Sequence, residues 1–442
     1  MIAVSERVIA IDDANRTTLV SLAQRIAWWS VALALLGSAW LVDPFAEAAF
    51  DAPKRLCVLL GAALASIALC WCAQSIRWRE WSLSSRWIAA LAALALLCMI
   101  VAAVVSPHPE LAWPSLRRLL LIALLVPIGA SSMLDGAPGK RMLWVVLLAC
   151  ASTAVISLLQ AIGIELPLHV AQIGGRFPTG ALLGNEGYVA LACAIMAAVC
   201  AAVAASAAPR RARIAAAALG VLAILAIVVN HQATSAAALL AALSVIVAVR
   251  WQARWLVTLL VATLLIAATT ALVAPLRAVT WAKLPVGGIE GFQRLTTYRL
   301  GAWVAALDMV SARPLTGYGL GTFAAEAQTH RLAAELDLHE RFVQPSGASF
   351  VYAHQEYLQL AAEAGIPALL FLLTAIVVLM LGLLRHCWPP DDPERLVLIA
   401  IISTGIIEAL AWFPLQVPFT ATVLLLACGR AWRMVASTAE LS

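Results

Sequence analysis

Residues 351–365 read VYAHQEYLQLAAEAG, and His354 is the side chain there best equipped to move a proton. An imidazole with a reference pKa near about 6.5 accepts a proton at neutral pH. On position alone two readings stand: a general base aimed at the rim of a bilayer, or a hydrogen-bonded interfacial histidine. Glu356 and Glu363 fall roughly opposite His354 on a helical wheel, which makes them poor choices for orienting its ring.

Arginine supplies the second kind of chemistry, because its planar fork donates two hydrogen bonds at once to a phosphate. Arg294 and Arg299 are five residues apart and do not share one helical face; Arg299 sits four residues before Trp303, on the side expected to pack. Arg117 and Arg118 begin an apolar run, where they either snorkel to a headgroup or meet an anionic substrate. In GGRFPTGALLGNEGYVAL, residues 174–191, Arg176 and Asn185 offer donors to an anionic or sugar oxygen amid five glycines. In ARPLTGYGLGTF, residues 312–323, Gly317, Gly319 and Gly321 form either a plain turn or a nest of N–H groups for phosphate. His231 and Glu408 are polar sites of second rank. Metal chemistry finds little support: the acidic stretch AELDLHER runs on as HERFV rather than HExxH, and neither a Walker loop nor a Ser/His/Asp spacing occurs.

The elements that must position these residues are hydrophobic helices. Of 442 residues, 63% are hydrophobic and 12% charged, against about 25% charged in an ordinary soluble domain. A span takes about 20 apolar residues, and runs centred near 32, 66, 96, 125, 152, 196, 222, 242, 265, 376, 404 and 423 give twelve candidates. The fold class is an all-α integral membrane protein. Its expected parts are helices one to five in 1–173, central helices behind a glycine-rich loop in 174–274, a long helical outer loop in 275–352, and the last helices with a short tail in 353–442.

Twelve spans place both termini on one side. With the N-terminus cytoplasmic, 17 of the 29 Lys and Arg fall on cytoplasmic segments. Once the long loop is set aside, only Lys54, Arg55, Arg117, Arg118 and Arg176 remain on the other side, as the positive-inside rule requires. The net charge of +5 is scattered rather than clustered, so nucleic acid is not an expected partner. Within the outer loop, Leu295, Tyr298, Trp303, Leu307 and Val310 recur at helical spacing until Pro314, and a second polar helix is expected over 322–343.

Arg299-Leu300 with Trp303, then Pro314-Leu315-Thr316-Gly317-Tyr318-Gly319-Leu320-Gly321-Thr322-Phe323, then His354-Gln355 with Gly365, resembles the O-antigen ligase family. GALLGNEGYVAL is similar to the family's GNxN pattern. The likeness runs over about 174–411, and the first five spans match in hydropathy alone. Two departures stand out: Thr234-Ser235-Ala236 lacks the family's Ser-Arg, and Gly187 replaces the second Asn of GNxN.

The resemblance implies a membrane-embedded glycosyltransferase of the C type in a bacterial inner membrane. It would pass an O-antigen glycan from undecaprenyl diphosphate to a sugar hydroxyl of lipid A-core on the periplasmic face, among membrane lipids, without metal or other cofactor. His354 would be the base. Arg299, with Arg176, Arg117, Arg118 or Arg294, would hold the diphosphate, and Asn185, Gln355, Gly319 and Gly321 would meet glycan or acceptor. O-antigen polymerases and protein O-oligosaccharyltransferases use the same donor; a polymerase typically has two sizeable outer loops and the protein transferase is usually longer. A transporter would instead place its ionisable residues near the middle of the bilayer. Glycan transfer is expected to proceed unchanged in excess EDTA; a loss restored by a divalent ion would bring the acidic stretch near Asp337 back into the chemistry.

Overall fold

The computed structural model describes residues 2–46, 48–70, 82–166, 179–251, 293, 298–342, 350–385 and 389–437, and side chains from residue 19 onward. Among these there are helices and no strands. The order is α1 (Ile2–Trp40), α2 (Ala52–Cys70), α3 (Leu83–Val104), α4 (Pro109–Ala123), α5 (Leu125–Gly129), α6 (Ala137–Ala161), α7 (Glu186–Ala205), α8 (Arg210–Val229), α9 (Ala233–Arg250), α10 (Leu300–Ala312), α11 (Phe323–Leu338), α12 (Glu356–Leu384), α13 (Pro393–Glu408) and α14 (Pro418–Ser437). Ten stretches of the described residues are long and apolar enough to span a membrane, with α4 and α5 counting as one. This is a multi-pass membrane protein of all-α class. Of the two remaining runs, the one near 404 is the 16-residue α13, and the one near 265 lies outside the described residues.

A helix that is apolar all round belongs either in lipid or at the centre of a bundle, and side-chain size sorts the two here. Alanine-rich α7 is the central post: every side chain from Val189 to Cys200 is buried, and α8, α9 and α13 pack against it. Small side chains let backbones approach where lipid provides no hydrophobic drive. Helices with larger residues on one face, such as α2 with Leu56, Leu60 and Leu64 or α3 with Leu94 and Leu97, leave those residues exposed, as a lipid-facing surface requires.

At one end of the bundle, charged residues tie loops together. Arg430 and Arg433 both reach Asp135, Arg430 also meets Glu394, and Arg250 donates to Ala205 O. At the opposite end α10 and α11 pair outside the long helices and pack on α12. The buried face of α10 is Ala302, Ala305, Ala306 and Met309, whereas Leu307 is 55% exposed. The expected stripe is therefore shifted: three alanines and Met309 form its centre, Trp303 and Val310 lie half-buried at its margins, and Leu307 faces out.

Helix α12 is two helices joined at a kink, where Gly365 takes φ 83° and ψ 162°. The turn 313–322 docks there. Tyr318 N donates to Ala362 O (3.0 Å), Gly319 N to Glu363 O (2.8 Å) and Ile366 N to Pro314 O (2.8 Å). The Glu363 carboxylate accepts from Phe323 N at 3.2 Å and from the Gly321 amide. A Cβ on Gly365 would stand 2.2 Å from Leu315 O. Gly365→Ala is accordingly expected to cost about 2 kcal/mol or more, combining left-handed strain with the collision, read as a lowered melting temperature of the purified protein.

Candidate active site

His354 precedes α12 rather than lying on it, with Gln355 as the cap and the helix starting at Glu356. Its φ of 55° is rare for a side chain with a Cβ. Such strain persists only where the surroundings over-determine it, and here they do. Ala353 N donates to the Gln359 amide oxygen (3.1 Å) and Glu356 N to Ala409 O (2.9 Å). The Glu356 carboxylate accepts from Leu415 N (3.1 Å) and Gln416 Nε2 (3.4 Å). The loop holding His354 is thus pinned to segment 409–417, between α13 and α14.

The imidazole lies 3.0 Å from Tyr352 O through Nδ1. A carbonyl only accepts, so Nδ1 carries the proton in this contact and Nε2 is the basic nitrogen. The ring meets Trp412 (5.7 Å between centroids) and Phe413 (5.1 Å) edge-on. Arg299, which caps α10, lays its guanidinium 4.4 Å from the centre of the same Trp412 ring and donates to Ala411 O at 2.7 Å. Two residues far apart in sequence converge on one indole. Tyr298, just before Arg299, also has a positive φ of 61°.

Arg55 was visible in the sequence only as a charge in the topology count, yet it stands beside this loop. It pairs with Asp51 one helical turn earlier, donates to Gln416 O (2.9 Å) and reaches the Tyr352 hydroxyl at 3.5 Å. Burial pushes the Tyr352 phenol above its ordinary value; the Arg55 charge opposes that push, Asp51 adds to it and Arg118 opposes it again. Arg118 and Arg117 are both exposed on α4, bonded within the helix to Ser115 Oγ (3.0 Å) and Trp113 O (3.4 Å). Arg118 is thus the member of the pair within electrostatic reach of Tyr352. Arg176 and Arg294 lie outside the described residues.

The remaining candidates hold the scaffold together. Asn185 caps α7 by accepting from Gly187 N at 2.8 Å, and Gln355 caps α12 through Leu358 N. Gly319 and Gly321 correct the idea of an open phosphate nest: both amides are engaged by Glu363, and their positive φ lets the turn pass close to Ser106 and Ser115. Glu356, set aside for orienting the ring, instead anchors the loop facing it. Glu408 is buried within electrostatic reach of Arg299 and hydrogen-bonded to Ser235, so the Thr-Ser-Ala stretch does border this region. His231 is exposed at the turn between α8 and α9.

Residues 218–373 match the family model described as O-Antigen ligase. The chain carries an O-antigen ligase domain. The match spans the second half of α8 through the first part of α12, narrower than the 174–411 expected, and holds Arg299, the glycine turn and His354. Trp412 and Arg55 lie outside the matched segment and come beside the His354 loop by folding. No curated protein matches the chain. The match supports a membrane enzyme of the ligase and polymerase kind.

Glu356→Ala would strip the acceptor from a backbone amide and a side-chain amide of the 409–417 segment. Each orphaned donor costs about 1–3 kcal/mol, and the expected result is a melting temperature several degrees lower in the purified protein. Glu356→Gln, which keeps one acceptor oxygen, is expected to fall between.

Proposed function

We propose that this chain is the enzyme that transfers an O-antigen glycan from undecaprenyl diphosphate to a sugar hydroxyl of lipid A-core. In this reading it sits in the bacterial inner membrane with both termini cytoplasmic and the His354 end facing the periplasm. The observation that carries it is the convergence of His354 and Arg299 on Trp412: a base with a defined tautomer beside a cation suited to a departing phosphate.

The reaction is one displacement. Nε2 of His354 takes the proton from the acceptor hydroxyl as that oxygen attacks the anomeric carbon, and the bond from that carbon to the diphosphate breaks with its electron pair going to the lipid diphosphate. The anomeric centre inverts. General-base assistance of this kind contributes about 10²- to 10⁴-fold. Arg299 stabilises the charge that gathers on the leaving group, where a charge-assisted hydrogen bond contributes about 1.5–3 kcal/mol. Arg118 supplies further positive potential at the same end of the bundle, drawing the anionic headgroup of the donor, while Arg55 is neutralised by Asp51; Arg176 and Arg294 remain additional candidates. The step as written uses no metal. Asn185 and Gln355 act by shaping the helix starts around the site, and Gly319 and Gly321 by forming the turn.

The test is transfer by the purified protein with undecaprenyl-diphosphate glycan as donor and lipid A-core and a peptide mixture as competing acceptors. Wild type is expected to label lipid A-core. His354→Ala is expected to lose at least about 10²-fold while remaining folded and membrane-inserted, and Arg299→Lys to fall substantially, since the charge stays but the fork is lost. Lengthening of the donor glycan would make the chain a polymerase, and labelled peptide a protein glycosyltransferase. Unchanged activity in His354→Ala would remove the base from the mechanism.

A further inference from the structure

The segment between α13 and α14 contributes an indole that touches both residues assigned to the chemistry. Trp412 is 8% exposed. Arg299 lies over one region of its ring system at 4.4 Å, His354 meets it edge-on, and Phe413 stacks on it at 4.9 Å with 12° between planes. Its Nε1–H is buried and meets no acceptor among the described residues, so shape rather than a hydrogen bond sets its place.

The shape is set by Gly187. A Cβ at that position, in the first turn of α7, would stand 2.4 Å from Cζ2 and 2.9 Å from Cη2 of Trp412. The helix start has little room to withdraw, because Gly187 N is held by the Asn185 cap at 2.8 Å. Position 187 is also where the chain departs from the GNxN pattern. The missing side chain is what admits the far edge of the indole.

We propose that Trp412 is a positioning residue: seated against Gly187, its indole holds the Arg299 guanidinium where the donor's diphosphate leaves and keeps the His354 ring beside it. An aromatic face attracts a guanidinium without consuming its N–H donors, so a stacked arginine is oriented and can still fork to phosphate. The inference rests on the donor reading above, and it deepens that reading by naming what holds the arginine in place.

The experiment measures undecaprenyl diphosphate binding by the full-length protein in nanodiscs, with thermal stability read in parallel. Trp412→Leu is expected to weaken binding about tenfold, within the range for a desolvated cation–π contact. Arg299→Ala should weaken it at least as much. The double variant should bind no more weakly than Arg299→Ala alone, because residues acting as one unit are not additive. Trp412→Phe, which keeps a smaller aromatic face, should recover part of the loss; a purely structural tryptophan would change stability without this pattern.

Wild-type affinity in Trp412→Leu, or a loss that adds in full to that of Arg299→Ala, would overturn the positioning role and leave the donor reading standing. Wild-type affinity in Arg299→Ala would sink the donor reading and this inference together. Should Trp412→Leu fail to fold, Gly187→Ala carries the test: displacing the indole is expected to lower affinity about tenfold, and unchanged affinity with a folded protein would refute the proposal.

Discussion

A helix that breaks at the edge of a bilayer must find partners for the backbone groups it releases, because unpaired amides and carbonyls are costly away from water. α12 breaks at Gly365, and the carbonyls of Ala362 and Glu363 are taken by the amides of Tyr318 and Gly319, while Ile366 N takes Pro314 O. The glycine turn is thus a second strand of backbone laid along the broken helix. Its three positive-φ glycines, at 317, 319 and 321, let it lie close enough to do so.

That docking fixes two directions at once. It holds the start of α12, and hence His354, and it fixes where α10 and α11 emerge, and hence Arg299. The buried Glu363 serves both elements by accepting amides from the turn while sitting on the helix. On the other side of the loop, Glu356 fastens the same start to segment 409–417. The proposed base is therefore clamped from two sides by carboxylates that take no part in its proton transfer. Catalytic groups gain most from such rigid placement, since reactivity falls steeply with small displacements.

The proposed chemistry and the architecture fit each other in polarity. His354 and Arg299 both stand at helix starts, at one end of the bundle, where a lipid-linked donor would present its diphosphate and a sugar acceptor would arrive from water. The aromatic group of Tyr188, Tyr352, Trp412 and Phe413 lines this end with flat, rigid surfaces, and a guanidinium and an imidazole rest against them.

Hydropathy alone was enough to establish an all-helical membrane protein and nearly every helix in it, because an apolar run of about 20 residues has one stable fate in a bilayer. Local motif was enough to single out His354, Arg299 and the glycine turn, since each depends on residue type at short spacing. What the amides of Gly319 and Gly321 are used for was not legible, because their partner Glu363 lies some forty residues away. Nor was the inward face of α10, which centres on three alanines and Met309 and turns Leu307 outward. Trp412 and Arg55 carried no local signal at all; they become part of the site only when α2 and the loop between α13 and α14 fold against His354. Residue chemistry is written in the chain, but which groups stand side by side depends on long-range packing, and tertiary structure alone decides it.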